Sequence, residues 1–197
     1  MKIGCIQGSI LGPQLFSIYL RGLEEYLWSR DARVVTYADD SYVILEADTM
    51  HELVAKSEIC LKDHDEFLEK VGMKTNKSKT EVIVFNKNYL KTKLRFGNEE
   101  IELGKTIKVL RILFSYNLRW TSHVEKIVKK SASILNRVCF IRQSLNKDQT
   151  LKVLTSYLYS VLFYGSAVWL GSATSRSKDW KLLNRVHYQA LRIAVRD

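Results

Sequence analysis

Two adjacent carboxylates, Asp39 and Asp40, stand in Tyr37-Ala38-Asp39-Asp40, between the β-rich runs Arg33-Val34-Val35-Thr36 and Ser41-Tyr42-Val43-Ile44-Leu45. Two such runs joined by so few residues predict a β-hairpin with both carboxylates at its tip. Aspartate is a poor strand former but tolerates turns, so the bend accepts it. Alternation along a strand sends neighbouring side chains to opposite faces, so the pair need not act together. A solvated acidic turn is the ordinary explanation of such a pair. A second stretch, Gly4-Cys5-Ile6-Gln7-Gly8-Ser9-Ile10-Leu11-Gly12-Pro13, is punctuated by glycine just before a helical pattern. Glycines there allow the backbone to approach a bound group closely, although alone they specify only a turn.

The elements that must position these residues follow from periodicity. Pro13, the chain's single proline, suits a first helical turn, and Leu15, Phe16, Tyr19, Leu20, Leu23 and Leu27 continue it towards Ser29. After the hairpin, Thr49 and Glu52 fit a capping box, and Met50, Leu53, Ser57, Leu61, His64, Phe67 and Val71 trace one helical face ending at Gly72. His64 reads as a core or boundary histidine. Strands are predicted at Glu81–Phe85, across a hairpin at Gly97-Asn98-Glu99-Glu100, and along Thr106–Ser115. From Trp120 the pattern is helical throughout: Ser122 and Glu125 suggest a capping box, Asp148 a cap for a further helix, and Ser177–Val195 a last helix. The expected architecture is α+β to about residue 117, an antiparallel sheet with helices, and all-helical from 118 to 197.

The chain has 197 residues with 46% hydrophobic and 26% charged, the balance of a globular protein rather than a disordered one. No apolar run approaches the roughly 18 residues of a membrane span, so no membrane partner is expected. No secretory leader is recognisable after Met1-Lys2, and an intracellular location, nuclear or cytoplasmic, is expected. Cys5, Cys60 and Cys139 are widely separated, which suits thiols in a reducing compartment and argues against a zinc site. Residues 1–100 hold 14 Lys and Arg against 16 Asp and Glu, a net −2, whereas residues 101–197 hold 17 against 5, a net +12. The basic excess is confined to the helical half, as a phosphate-binding surface would be.

In combination these stretches resemble the ordered motifs of reverse transcriptases. The carriers are Gln7-Gly8-Ser9-Ile10-Leu11-Gly12-Pro13, Tyr37-Ala38-Asp39-Asp40, and Gly72-Met73-Lys74-Thr75-Asn76 with Lys79-Thr80-Glu81. The first of them looks like the form found in non-LTR retrotransposons. Lys108-Val109-Leu110, Asn117-Leu118-Arg119-Trp120-Thr121-Ser122-His123 and Tyr164-Gly165-Ser166-Ala167-Val168-Trp169 resemble the segments that follow in such elements.

The resemblance implies a partial polymerase palm over 1–117 and a helical thumb and post-thumb region over 118–197. It implies RNA-directed DNA synthesis from an RNA template, a DNA primer and deoxynucleoside triphosphates, through Mg²⁺, with Mn²⁺ as a substitute. Asp39 would be the metal-binding carboxylate and Asp40 its weaker support. Tyr37 would pack near the primer end, and Gln7, Gly8 and Ser9 against template and incoming nucleotide. Lys79, with Lys74 as the alternative, would place a positive charge near the phosphates. Lys126, Lys129, Lys130 and Arg137 would hold the nucleic acid. The departures are Ile6, where proline is usual, and Arg111-Ile112, where glycine usually follows Leu110. A further aspartate and the fingers would precede Met1, so the resemblance is to the C-terminal part of such an enzyme, inactive by itself. A non-catalytic nucleic-acid-binding remnant of the same fold is the alternative. A metal-dependent phosphoesterase would need more carboxylates or histidines near Asp39 than can be identified.

Overall fold

The computed structural model describes residues 8–28, 31–85, 92–172 and 177–195. Helix and small antiparallel sheets are mixed, an α+β chain, in two compact units. The first takes in Met1–Val84 and Asn88–Gly104; the second takes in Phe85–Lys87 and Lys105–Asp197.

In the first unit, α1 (Gly12–Trp28) is followed by β1 (Arg33–Tyr37), β2 (Asp40–Ile44) and α2 (Met50–Lys70). Ser9 starts α1 by accepting the Gly12 amide on its hydroxyl at 3.0 Å. Leu23 and Leu27 of α1, Ala32 and Cys60 of α2 are buried together, with Tyr26, Val34, Leu45 and Phe67 packed against them. This small core clamps the hairpin onto the helices through Val34, on the inner face of β1. Thr49 caps α2 by accepting the Glu52 amide at 3.2 Å, which is half of the expected capping box; the Glu52 carboxylate pairs with Lys56 at 3.0 Å. At the other end Gly72 takes a left-handed φ of 76°. The Met73 amide then reaches the Leu68 carbonyl and the Gly72 amide that of Glu69, a Schellman ending that glycine makes possible.

The expected strand at Glu81–Phe85 is a correction: among the described residues it forms one bridge, Val82 to Leu103. Nor do the strands join into one sheet among the described residues. β1–β2, β3–β4 (Lys93–Phe96 and Glu99–Glu102) and β5–β6 (Thr106–Val109 and Ile112–Ser115) are three separate two-stranded ladders. Each is closed by a two-residue turn, so Thr106–Ser115 is a hairpin rather than a single strand.

The second unit is built on α3 (Thr121–Ile141) and α7 (Lys178–Val195). Thr121 donates to Asp179 at 3.1 Å near their N-terminal ends. Beyond the C-terminus of α3, the Arg142 Nε donates to the Ile193 carbonyl of α7 at 3.0 Å. The two helices therefore run parallel, and a cation meets the negative end of α7. Between them lie α4 (Lys147–Val153), a π-helical stretch (Leu154–Tyr159), α5 (Ser160–Leu162) and α6 (Ser166–Trp169). Val124, Ile127, Leu135 and Val138 of α3 pack with Leu154, Leu158, Leu162, Trp169, Leu183, Val186 and Ala190. Ile112 of β6 belongs to this same core, which is why β5–β6 goes with the helices although the strand pattern in the sequence ends near residue 117. Two expected caps are corrections. α3 begins at Trp120 with no side-chain cap, and α4 is capped by a reciprocal Asn146–Gln149 box instead of Asp148.

The hairpin β5–β6 turns through Leu110 and Arg111, both left-handed at φ 45° and 71°. That is the signature of a type I′ turn, which favours glycine or asparagine. Arg111 thus occupies the position where the resemblance implies glycine, and the turn forms all the same. Tyr164 helps to hold it, donating to the Leu110 carbonyl at 3.1 Å. Replacing Arg111→Gly should remove a left-handed penalty of roughly 1 kcal/mol and raise the urea midpoint of the second unit.

Candidate functional site

The register of the first hairpin fixes the carboxylates. Arg33 pairs with Ile44, Val35 with Tyr42, and Tyr37 with Asp40, leaving Ala38 and Asp39 as the two turn residues. Ala38 is left-handed at φ 51° and Asp39 is not, the pattern of a II′-type turn whose first corner ordinarily prefers glycine. Asp39 therefore stands at the turn's second corner and Asp40 at the first paired position of β2. Both are exposed. The tip predicted from sequence is the tip observed.

Directly paired residues share a face of the ladder. Tyr37, 62% exposed, thus stands beside Asp40 on the outer face, above Val35 and Tyr42. The Tyr42 hydroxyl donates to Asp40 Oδ2 at 3.1 Å, fixing that carboxylate against the strand. No hydrogen bond or ion pair engages Asp39 among the described residues, so its two oxygens remain available as ligands. Two hard oxygen donors at one exposed corner suit Mg²⁺, which takes one or two protein carboxylates and fills its shell with phosphate oxygens and water. No group of three or more such side chains converges among the described residues. At this corner the oxygen-bearing side chains named are those of Asp39 and Asp40.

The other expected residues are distributed as follows. Gln7 lies outside the described residues. Gly8 is exposed and left-handed at φ 88°, with no heavy atom within 4 Å of where a Cβ would stand, so the backbone there is open to approach. Ser9 is engaged as the cap of α1. Lys79 ends a 3-10 turn (Lys77–Lys79) and is exposed, as is Lys74. The lysine that sequence reasoning missed is Lys77. Its Nζ is 3.2 Å from Asp65 of α2 and lies over the Phe96 ring, 4.8 Å from the centroid. Burial raises the Asp65 carboxyl, but Thr75 and Lys77 lower it by more, so it sits below the ordinary carboxylate value. Lys74, Thr75, Asn76, Lys77, Ser78 and Glu99 line one shallow depression. Nothing in the spacing of Lys74, Lys77 and Lys79 distinguishes the lysine that folds back onto the protein from the two left in solvent.

In the second unit α3 separates its faces cleanly. His123, Val124, Ile127, Ser131, Leu135 and Val138 are buried, while Lys126, Lys129, Lys130 and Arg137 are exposed. None of these four cations has an ion-pair partner among the described residues. Glu125, the sole acid of the helix, is 3.6 Å from Lys178. The exposed face is an unneutralised basic strip of the kind that binds phosphates.

His123 anchors the start of this helix. Its Nδ1 accepts the Leu113 amide at 3.1 Å, and its ring lies edge-on to Trp169 at 5.5 Å. Accepting on Nδ1 requires the neutral imidazole. Burial, with Lys126 adding to it, holds the pKa below the ordinary 6.5. The unfolded chain therefore takes up a proton that the folded unit resists, so stability is complete above about pH 6.5 and declines as pH falls below it. His64 in the first unit shifts the same way through burial, opposed by Asp65. Urea titrations at pH 7.5 and 5.5 should show a lower unfolding free energy at the acid value, with a smaller difference in His123→Asn.

Residues 2–153 match the reverse transcriptase (RNA-dependent DNA polymerase) family. Similar curated proteins are polymerases of mobile elements. A Pol polyprotein of the type-1 retrotransposable element R1 from Nasonia vitripennis is 23% identical over 184 residues, spanning 84% of this chain and 52% of that protein. The R1 Pol polyprotein of Bradysia coprophila is 26% identical over 84% of this chain and 17% of its own length. The RNA-directed DNA polymerase of the Drosophila melanogaster element jockey is 22% identical over 91% of this chain and 21% of its own length. The chain thus spans from about a sixth to half of these relatives. No solved structure matches it.

Proposed function

Because the chain belongs to the reverse transcriptase family of non-LTR retrotransposons, we propose that its first 117 residues are the carboxylate-bearing part of an RNA-directed DNA polymerase palm and residues 118–197 its helical thumb and post-thumb region. The observation that carries this is the coincidence of a family match over residues 2–153 with two exposed aspartates at the corner of a two-residue hairpin turn. Asp39 and Asp40 would hold Mg²⁺, or Mn²⁺ in its place. When bound, such ions favour the attacking 3′-alkoxide and steady the triphosphate. Asp39 is exposed and unengaged among the described residues, whereas Asp40, tethered by Tyr42, supports it. Tyr37 offers its ring beside Asp40 as an apolar surface for the primer end. Gly8 lets backbone come close to template and nucleotide, with Gln7 and Ser9 beside it. Lys79, or Lys74, supplies charge towards the phosphates, Lys77 being committed to Asp65. Lys126, Lys129, Lys130 and Arg137 grip the RNA template and DNA primer.

The pair of aspartates is a small donor set for a two-metal reaction, so the 197 residues alone should not polymerise. The test is primer extension on an RNA template with Mg²⁺. A polymerase-length R1-type protein carrying this chain in the corresponding place should extend the primer, and the isolated chain should not. Extension by the isolated chain would overturn the incompetence, and failure of the long protein would overturn the enzyme. The basic strip on α3 favours a second reading, a non-catalytic nucleic-acid-binding remnant. In that case the long protein would bind an RNA–DNA hybrid through α3 yet never extend it.

A further inference from the structure

A second basic face lies on α7, beyond the segment that matches the polymerase family. The buried line of that helix is Leu183, Val186, Ala190 and Ala194. On the opposite side Lys181, Arg185, Tyr188 and Arg192 recur at spacings of four, three and four residues, all exposed. Such spacing puts them in one row, about 16 Å long at 1.5 Å per residue. The three cations have no ion-pair partner among the described residues. The sole acid of α7, Asp179, accepts a hydrogen bond from Thr121 near the helix start. Tyr188, 60% exposed, stands between the two arginines and contributes nothing to the core.

The tyrosine also ends a continuous line of rings. Phe163, itself half-exposed, stacks on Tyr159 with an interplanar angle of 8° and centroids 5.7 Å apart. Tyr159 meets His187 at 5.8 Å between centroids, and His187 meets Tyr188 at 5.9 Å. A 2.8 Å hydrogen bond between the Tyr159 hydroxyl and His187 Nδ1 locks the middle of the line. Tyr159 closes the π-helical stretch Leu154–Tyr159. One extra residue in a helical turn rotates everything after it by about 100°, which sets where Tyr159 and Phe163 point. The surface so built has an aromatic at each exposed end and cations flanking one of them.

We propose that this face of α7 binds single-stranded RNA, with Tyr188 as a stacking platform and Lys181, Arg185 and Arg192 on the phosphates. Planar rings accept any base, and interleaved cations track a flexible backbone, which is how single strands are held without sequence preference. Arginine beside a base-stacked ring adds its own planar, weakly hydrated cation. RNA is favoured over DNA because the Tyr188 hydroxyl and the exposed Gln189 amide can each donate to or accept from a ribose 2′-hydroxyl, a partner that DNA lacks. The face is distinct from the α3 strip, whose four cations have no aromatic between them, its exposed Phe140 lying one turn beyond Arg137.

The experiment measures binding of the purified 197-residue chain to a fluorescein-labelled 20-nucleotide poly-uridine, the matching thymidine strand, and an RNA–DNA hybrid of equal length. Tyr188→Ala should weaken the RNA strand about ten-fold and leave the hybrid unchanged. Arg185→Gln with Arg192→Gln should lower the slope of log affinity against log salt by about 1.4 for the RNA strand. Tyr188→Phe keeps the ring and should keep most of the affinity. An unchanged RNA affinity in Tyr188→Ala, or an equal loss on the hybrid, overturns the platform. A loss in Tyr188→Phe as large as in Tyr188→Ala overturns stacking, and equal binding of the thymidine strand overturns the assignment to RNA. Unaltered circular dichroism and melting of each variant, expected at exposed positions, exclude misfolding as the cause.

Discussion

Replacing Asp39→Asn in a polymerase-length protein carrying this chain is expected to abolish nucleotide incorporation, by about a thousand-fold or more, while leaving affinity for an RNA–DNA hybrid intact or slightly raised. The substitution keeps size and turn propensity but removes the charge from the carboxylate that no neighbour among the described residues engages. A thousand-fold loss corresponds to about 4 kcal/mol of transition-state stabilisation, within the several kcal/mol that a positioned divalent ion supplies. Nucleic-acid affinity should rise if it changes, because a negative charge facing phosphates has gone. Asp40→Asn should be milder, since the Tyr42 hydroxyl already occupies Oδ2 of that residue. Single-turnover incorporation with Mg²⁺ and with Mn²⁺ measures both. Equal activity of Asp39→Asn and the parent protein would sink the assignment of the hairpin tip as a metal site.

The largest effect on stability is expected at Trp169. Its side chain is fully buried, its Nε1 donates to the Tyr164 carbonyl at 2.9 Å, and its ring meets His123 edge-on. Trp169→Ala empties that volume and strands a carbonyl, a loss of about 3–5 kcal/mol for a large aromatic in a core. Because Trp169 and His123 hold β6 and the start of α3 to one core, the loss should appear as cooperative unfolding of the second unit. Near-ultraviolet circular dichroism with urea titration reads it directly. Trp169→Phe should recover part of the loss, since it refills much of the space but cannot make the hydrogen bond.

The sequence made some of this legible and concealed the rest for physical reasons. The hairpin carrying Asp39 and Asp40 was legible because alternation and turn chemistry are local. So were the Thr49 cap, the Gly72 ending and the four exposed cations of α3, whose apolar period leaves them nowhere else to go. The strand expected at Glu81–Phe85 failed because an apolar run specifies burial, not a pairing partner. The start of α3 was misplaced because Ser122 and Glu125 satisfy a spacing rule that the helix, entered from Trp120, does not use. Lys77 was invisible because its partners, Asp65 and Phe96, lie on elements remote in sequence. The Tyr164-Gly165 motif acquires a cause only in three dimensions. Gly165 is left-handed at φ 62°, and a Cβ there would stand 2.5 Å from Ile112 Cδ1.

The parallel pairing of α3 and α7 also governs the order of events during synthesis. The contacts that join them, Thr121 to Asp179 and Arg142 to Ile193, link residues 58 and 51 positions apart. A ribosome adding about 5–20 residues per second has released Val124, Ile127, Leu135 and Val138 seconds before α7 exists to cover them. The apolar side of α3 must wait, shielded only by the shorter helices, until nearly the whole second unit has been made. Closure of so long a loop is intrinsically slow, so this unit, rather than the local hairpin bearing the aspartates, sets the pace at which the chain folds.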